Sequence, residues 1–228
     1  MKAKSIPLEY RRYEEFSSLE TNIQFLKGKI SKGEKILEIG CGCGALAHHL
    51  AAQGYGITPT ELSWSAIRVG KKMFPDLRII PMSGDNLKFN GGSFDAVISF
   101  DVLEHIPNTS KHLEEVARVL RNGGKYIFQT PNKITNRLAA VVYNAISGQK
   151  RWGADYHCSL HSYSQLRKAL IQKGFQPTFY KMSPVNSHTL RRIEGGLGQL
   201  PAKIFKKFPF RYLPLHLQTN FYVVALKR

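Results

Sequence analysis

Acid is scarce in the second part of the chain. Beyond residue 132 only Asp155 and Glu194 stand against 16 Lys and Arg, a net +14, whereas residues 1–132 carry 17 basic and 14 acidic residues, a net +3. So uneven a balance fits a solvated basic surface, an anionic membrane surface, an anionic substrate or nucleic acid. Cysteine is scarce as well. Of the three (Cys41, Cys43 and Cys158), two share one Gly-rich turn, and three cannot all pair, so a reducing cytoplasm is the expected compartment. No second ligand pair at zinc spacing follows Cys41-x-Cys43, so no metal site is assigned. Long apolar runs are missing too. The longest, Leu138 to Tyr143, falls far short of the roughly 18 residues of a membrane span. The opening MKAKSIPLEYRRYEEF has charge scattered throughout and no apolar core of a signal peptide. No internal repeat or low-complexity tract is present.

What is there is an alternation. At 228 residues the chain is long enough for one large domain with a real core. Residues 10–30 place Tyr13, Phe16, Leu19, Ile23 and Leu26 at three- and four-residue steps, which predicts an amphipathic helix ended by Ser31-Lys-Gly33. Short apolar runs then predict strands at 35–40, 55–59, 78–81, 94–100, 124–130, 175–181 and 219–227. Helical patterns fall near 44–53, 63–73, 109–121 and 162–173, with Gly174 as a C-terminal cap. Such alternation implies a doubly wound, mainly parallel sheet with helices on both faces, an α/β fold of Rossmann-like type. Residues 183–217, rich in Pro, Gly, Leu, Phe and Lys, read as an irregular insertion before the last strand, with one short helix at 201–208. The expected organisation is a single domain over 1–228: an N-terminal helical lid (1–33), a cofactor-binding core (34–132) and a substrate-side half (133–228).

One residue contradicts its surroundings. In KILEIGCGCG (35–44), Glu38 lies in an otherwise apolar strand, where a carboxylate costs several kcal/mol unless a cation or hydrogen-bond donors meet it. In doubly wound sheets ligands bind outside the carboxyl ends of the strands, so the groups at those ends matter most. After the first strand comes Gly40-Cys41-Gly42-Cys43-Gly44, whose glycines let a ligand approach backbone amides at a helix N-terminus. After the second comes Glu61, 21 residues beyond Gly40, at the spacing of an acid that binds ribose hydroxyls. After the third comes Gly84-Asp85-Asn86, after the fourth FDVLEHIP (100–107), and after the fifth TPN (130–132). Gly40-x-Gly42-x-x-Ala45 also satisfies the dinucleotide fingerprint, a weak signal. Glu38 separates the two readings, because it would repel a pyrophosphate and welcome an ammonium group. A ligand with an ammonium on Glu38, a carboxylate on the loop amides, a ribose on Glu61 and an adenine amine near Asp85 is S-adenosylmethionine.

KILEIGCGCG, TELS (60–63), SGDNLKF (83–89), FDAVISFDVLEHI (94–106) and LRNGGKYIFQTPN (120–132) together resemble the successive motifs of class I S-adenosylmethionine-dependent methyltransferases. The resemblance is to the branch containing ubiquinone-biosynthesis O-methyltransferases and related small-molecule enzymes, over residues 30–132 and more loosely 155–181. It implies a seven-stranded sheet with the last strand antiparallel, matching the closing run TNFYVVALK. It implies S-adenosylmethionine as cofactor, with S-adenosylhomocysteine as product. It implies cofactor contacts from Glu38, Gly40, Cys41, Gly42, Gly44, Glu61, Leu62, Gly84, Asp85, Asn86, Phe100 and Asp101. ITPTELS departs from the family's usual Val-Asp before Leu-Ser, and the longer Glu61 keeps the ribose role.

The expected reaction is methyl transfer to a small-molecule acceptor, at a hydroxyl or phenol oxygen of a hydrophobic or amphipathic metabolite. Alignment of nucleophile and methyl supplies much of the rate. A hydroxyl acceptor also needs a base, most often His. The candidates are His157 and His161 in the loop 155–164, with His105 of LEHI third. Two other classes compete. A nucleic-acid methyltransferase would suit the basic charge, but FDVLEH stands where exocyclic-amine enzymes carry an Asn/Asp-Pro-Pro-aromatic motif, which argues against nucleic acid. A non-catalytic cofactor-binding protein on the same fold is the other, and the intact cofactor motifs argue against it. Peripheral contact with an anionic inner-membrane surface is the expectation for the apolar and basic residues of 187–217. Monomer and homodimer both stay open.

Overall fold

The computed structural model describes residues 19–147, 157–185 and 187–228. Tyr13 and Phe16 of the predicted first helix, and Asp155 and Tyr156 of the histidine-bearing loop, lie outside these residues.

Seven strands form one sheet in the order β3-β2-β1-β4-β5-β7-β6. They are β1 (Lys35–Ile39), β2 (Gly56–Glu61), β3 (Ile80–Pro81), β4 (Phe94–Phe100), β5 (Leu120–Pro131), β6 (Phe175–Tyr180) and β7 (Asn220–Lys227). Pairings from β3 through β5 are all parallel, and β7 runs antiparallel between β5 and β6. The helices are α1 (Leu19–Leu26), α2 (Ala45–Ala52), α3 (Trp64–Met73), α4 (Thr109–Val119), α5 (Lys133–Ser147), α6 (Tyr163–Gln172), α7 (Ser187–Leu197) and α8 (Gln199–Lys207).

Strand periodicity sorts the core into two layers. On one face Leu37, Val97 and Phe128 pack with Leu113, Val116, Leu166 and Leu170 of α4 and α6. Their neighbours Ile36, Ile98 and Ile127 point the other way, onto Phe25 and Leu26 of α1 and Leu46 and Leu50 of α2. Successive side chains of a strand alternate faces, so a strand covered on both sides needs an unbroken apolar run. Each such side chain contributes roughly 1.5–3 kcal/mol by leaving water.

Local chemistry sets the helix starts. The Ser63 hydroxyl accepts from the Ala66 amide at the start of α3, and Asn108 Oδ1 accepts from the Lys111 amide at the start of α4. Ser162 and Gln165 form a reciprocal capping box at α6. Gly174, with φ of +81°, follows that helix in the left-handed region that favours glycine.

Three expectations are corrected here. The first predicted helix, where described, ends at Leu26 and gives way to a turn. Helix α5 is unpredicted. Asn132 Oδ1 accepts from the Ile134 amide and opens it directly after β5. The segment 183–217 is largely helical, with α7 and α8 followed by two single 3-10 turns, Phe210–Tyr212 and Leu215–Leu217. Buried Gln218 holds that region by donating from Nε2 to the carbonyls of Phe210 and Leu213, both at 2.9 Å. Phe205 and Phe208 each lie 4.7 Å from the ring centre of Phe210. The helix expected at 201–208 is α8, while α7 and the two turns are not visible in local hydrophobic spacing, since the contacts that order the turns come from residues farther along the insertion.

Candidate active site

The strand order reverses between β1 and β4, and the carboxyl ends of β1, β2, β4 and β5 open at one edge of the sheet. There the chain bends through glycines. Gly40 has φ of +69°, and a Cβ on it would collide with Val102. Gly44, with φ of +87°, begins α2, and a Cβ on it would meet Leu77 at 2.5 Å. No side chain caps α2, so its first amides are left to the cleft.

Glu38 is 4% exposed in the fourth position of β1, and its Oε2 is buried with no hydrogen-bond partner. Burial, and then the nearby Glu61 carboxylate, push its pKa up to about 8. The same surroundings, burial first and then Glu38 and Glu61, raise the Cys41 thiol far above its ordinary range. Cys41 is thus held as a neutral thiol. Glu61, at the end of β2, accepts from the Gly42 amide through Oε2 and from the Ser63 amide through Oε1, both at 2.8 Å. The Gly42 amide, expected to face a ligand carboxylate, is therefore engaged by Glu61. Each Glu61 oxygen keeps a second acceptor direction, since a carboxylate offers about four lone-pair sites. Leu62 follows, 66% exposed beside the cleft. In the loop after β3 the Ser83 hydroxyl donates to Asp85 Oδ1 at 2.5 Å. Gly84 and Asp85 are half-buried and Asn86 is exposed.

At the end of β4, Phe100 is half-buried and Asp101 adopts φ of +54°, in the left-handed region where a non-glycine residue is uncommon. Its amide is held by Gln129 Oε1 at 2.9 Å. Asp101 is exposed at the cleft, and the desolvation by the cleft walls that raises its carboxyl pKa is opposed by Gln129 and His105. The next turn, Leu103–His105, carries Glu104, which is 1% exposed and accepts from the Thr130 hydroxyl at 3.0 Å. Burial, and then the Asp101 charge, push Glu104 up to about 8.

The histidine loop docks onto this turn. The Ser159 amide donates to the Glu104 carbonyl at 3.0 Å, and the Ser159 hydroxyl to the Ile106 carbonyl at 2.6 Å. His157 is thereby placed with its ring centre 5.2 Å from that of His105. Burial, then His105, lower the His157 pKa. His161 lies beside Asn132 at the end of β5, and its carbonyl accepts from the Lys133 amide at 3.0 Å. Burial lowers its pKa, with Lys133 adding to the effect and a bond to the Ser159 backbone opposing it. Both imidazoles are therefore biased toward the neutral form a base needs, and the Nδ1 atom of each is buried with no hydrogen-bond partner.

The sequence reading grouped these histidines by the loop they share. The structure separates them, with His157 beside His105 and His161 under the start of α5. It also adds Glu104, which the argument applied to Glu38 would have found: an acid inside the apolar run Val102-Leu103-Glu104-His105-Ile106. Among the described residues, Glu104, His105 and His157 bring ligand atoms within 4.8 Å of one another. Two imidazoles and a carboxylate are donors that zinc accepts. Cys41 and Cys43, the pair weighed from sequence, do not belong to this group.

Comparison with known proteins agrees with the geometry. The family described as Methyltransferase domain matches residues 10–178. The ubiquinone biosynthesis O-methyltransferase of Xanthomonas oryzae pv. oryzae (strain PXO99A) is 30% identical over 119 residues, covering 50% of this chain and 49% of that protein. The enzyme of the same name from Coxiella burnetii (strain Dugway 5J108-111) is 27% identical over 153 residues, covering 63% and 62%. The chain thus spans about half to three fifths of the length of these relatives. Among solved structures, the methyltransferase in a Haloferax volcanii complex with the Trm112 activator aligns with a TM-score of 0.68 at 15% identity, covering 95% of this chain and 91% of that one. An S-adenosylmethionine-dependent methyltransferase of Thermotoga maritima aligns at 0.64 and 15% identity, covering 96% and 95%. At such identities the structural likeness speaks for the fold, and the family match covers well over half of the chain. The chain belongs to the family of S-adenosylmethionine-dependent methyltransferases.

Proposed function

We propose that this protein transfers the methyl group of S-adenosylmethionine to a hydroxyl or phenol oxygen of a small hydrophobic or amphipathic metabolite. The observation that carries the cofactor half of this reading is Glu38, a buried carboxylate with an unpartnered oxygen at the cleft. An ammonium group there supplies the missing partner. Glu61 and Leu62 would hold the ribose and cover the adenine, and Asp85 and Asn86 would meet its amine. Gly40, Gly44 and the α2 amides would receive the carboxylate, and Phe100 and Asp101 at the end of β4 would complete the cofactor contacts. In this division residues 34–132 hold the cofactor, 133–228 face the acceptor, and 1–33 form a helical cover.

When bound, the cofactor supplies an electrophilic methyl on a sulfonium. Glu38, Glu61 and the loop glycines would hold the cofactor so that this methyl lies in line with the acceptor oxygen, and the sulfur would leave with the electrons of the S–CH3 bond. His157 takes the acceptor's proton on its ring. Glu104, buried beside the pair, would in its ionised form favour the imidazolium electrostatically. His161 is the second candidate base. The relatives' name, O-methyltransferase, supports oxygen as the acceptor atom. Binding calorimetry with S-adenosylhomocysteine and with NAD tests the cofactor half. Heat with NAD and none with S-adenosylhomocysteine would overturn it.

The basic half supports an amphipathic acceptor met at an anionic membrane surface. On α5, Ile134, Leu138 and Val141 are exposed at four- and three-residue steps. This helix contacts α7, which leads into α8 with Leu200 and Ile204 exposed beside exposed Lys203, Lys206 and Lys207. Phe208 and Tyr212 extend the same apolar series. Apolar groups with lysines around them suit a headgroup boundary. No helix among the described residues is long and apolar enough to cross a membrane.

A further inference from the structure

Behind the loop Ser83–Asn86 lies a chain of polar groups that the transfer reaction does not use. His112 of α4, Tyr126 of β5 and Ser99 of β4 are all fully buried. His112 Nδ1 is 2.7 Å from the Gly84 carbonyl, His112 Nε2 is 3.0 Å from the Tyr126 hydroxyl, and that hydroxyl is 2.7 Å from Ser99 Oγ. The direction of every proton follows. A carbonyl can only accept, so Nδ1 carries the ring proton. Neutral imidazole then presents Nε2 as an acceptor, the Tyr126 hydroxyl donates to it, and Ser99 donates to Tyr126. Every member is satisfied, the condition under which a buried polar chain rigidifies its surroundings.

The core does not need this chain. Leu113, Val116 and Phe128 pack around it, and an apolar residue at 112 would fill the same layer without burying polar atoms. What His112 adds is a bond to the loop. Gly84 sits against it, since a Cβ on Gly84 would meet Ile39 at 2.9 Å, Ile106 at 3.0 Å and His112 Nδ1 at 3.3 Å. Two more residues of α4, at three-residue steps, hold the far end of the same loop. Glu115 Oε2 accepts from the Leu87 amide at 2.8 Å, and Arg118 donates to the carbonyls of Leu87 and Phe89, both at 2.7 Å. Positions 112, 115 and 118 share one helix face, so α4 grips the loop at both ends. Between the grips, Ser83 occupies one oxygen of Asp85 and leaves the other to a ligand.

We infer that α4 clamps this loop, and that His112 is a positioning residue that aims Asp85 at the 6-amino group of the cofactor's adenine. The inference rests on the reading that Asp85 faces the adenine, and the test separates the two. Calorimetry on the full chain measures the affinity for S-adenosylhomocysteine and for its 6-oxo analogue, S-inosylhomocysteine, in wild type and four variants. Asp85→Ala reports the adenine reading, and a wild-type preference for the amine in this variant overturns that reading alone. His112→Asn keeps a donor at the Nδ1 end of the ring, whereas His112→Gln places its amide at the Nε2 end. Tyr126→Phe removes only the two bonds away from the loop, to His112 Nε2 and to Ser99. The expected result is a preference for the 6-amino ligand retained in His112→Asn and Tyr126→Phe, with Tyr126→Phe lowering Tm. In His112→Gln the preference falls about tenfold, toward the Asp85→Ala value. An Asp85-dependent preference that survives in His112→Gln, or that falls equally in His112→Asn and His112→Gln, would overturn the role of His112.

Discussion

The Gly42 amide donates to Glu61 Oε2 at 2.8 Å, tying the turn after β1 to the end of β2. One carboxylate thus shapes the turn and faces the cleft. Replacing Glu61 by Ala removes both functions. Cofactor affinity should fall by about 1.5–3 kcal/mol, the worth of hydrogen bonds to a charged group, and more if the turn relaxes. Glu61→Gln keeps one acceptor oxygen and should lose less. Calorimetry with S-adenosylhomocysteine measures both, and equal affinities for wild type and Glu61→Ala would remove Glu61 from the site.

Glu38 should cost stability and give affinity. Its folded pKa, pushed up to about 8, lies above the ordinary 4.5, so the folded chain retains a proton that the unfolded chain has released. The resulting stability is present below pH 4.5 and is lost as pH rises through 8. Glu104 acts in the same direction. Glu38→Gln should therefore melt higher than wild type at pH 8 without ligand while losing cofactor affinity. Saturating cofactor should flatten the alkaline loss in wild type. A lower Tm with unchanged affinity would make Glu38 a structural carboxylate only.

The acid side belongs to His112. Burial holds its pKa near 4, below the ordinary 6.5, against the opposing effects of the Gly84 carbonyl and Asp85. The unfolded chain takes up a proton between these values that the folded chain refuses. This contribution is complete above pH 6.5 and is lost as pH falls toward 4. In His112→Asn the loss over that window should be shallower than in wild type, measured by urea unfolding at pH 4.5 and pH 7. Parallel pH dependences in the two proteins would contradict the assignment.

His157 as base predicts a rate that needs its neutral ring. With an acceptor in hand, His157→Ala should lower kcat by roughly 10²–10⁴-fold and leave S-adenosylhomocysteine affinity within about threefold. His161→Ala should instead act mainly on stability, since its loop supports the start of α5. A chelator should leave the wild-type rate unchanged if Glu104, His105 and His157 act by proton transfer alone. Loss of activity restored by zinc would reassign the group to metal binding.

Vesicle sedimentation tests the basic face. Anionic vesicles should bind the protein at low salt and release it at high salt, at about 1 kcal/mol for each lysine near the surface. Leu200→Asp/Ile204→Asp should weaken binding without changing cofactor affinity. Equal, negligible binding to anionic and neutral vesicles would defeat the membrane reading and leave the cofactor chemistry untouched.

Local signals determined much of this protein. Apolar runs fixed all seven strands, because a sheet covered on both faces needs unbroken hydrophobic segments, and the antiparallel β7 followed from the family resemblance. Glycines that require positive φ marked the turn after β1, and an acid among apolar residues singled out Glu38. What tertiary structure alone decided are meetings between distant positions: Gly42 with Glu61, His105 with His157, and Gly84 with His112 and Tyr126. The helix expected at 201–208 is α8 (Gln199–Lys207), whereas α7 escaped the sequence, because it packs on α8 and α5 rather than following a local apolar pattern. A side chain's neighbours across a sheet depend on strand order and register, which no local period encodes, whereas burial and backbone conformation are written residue by residue.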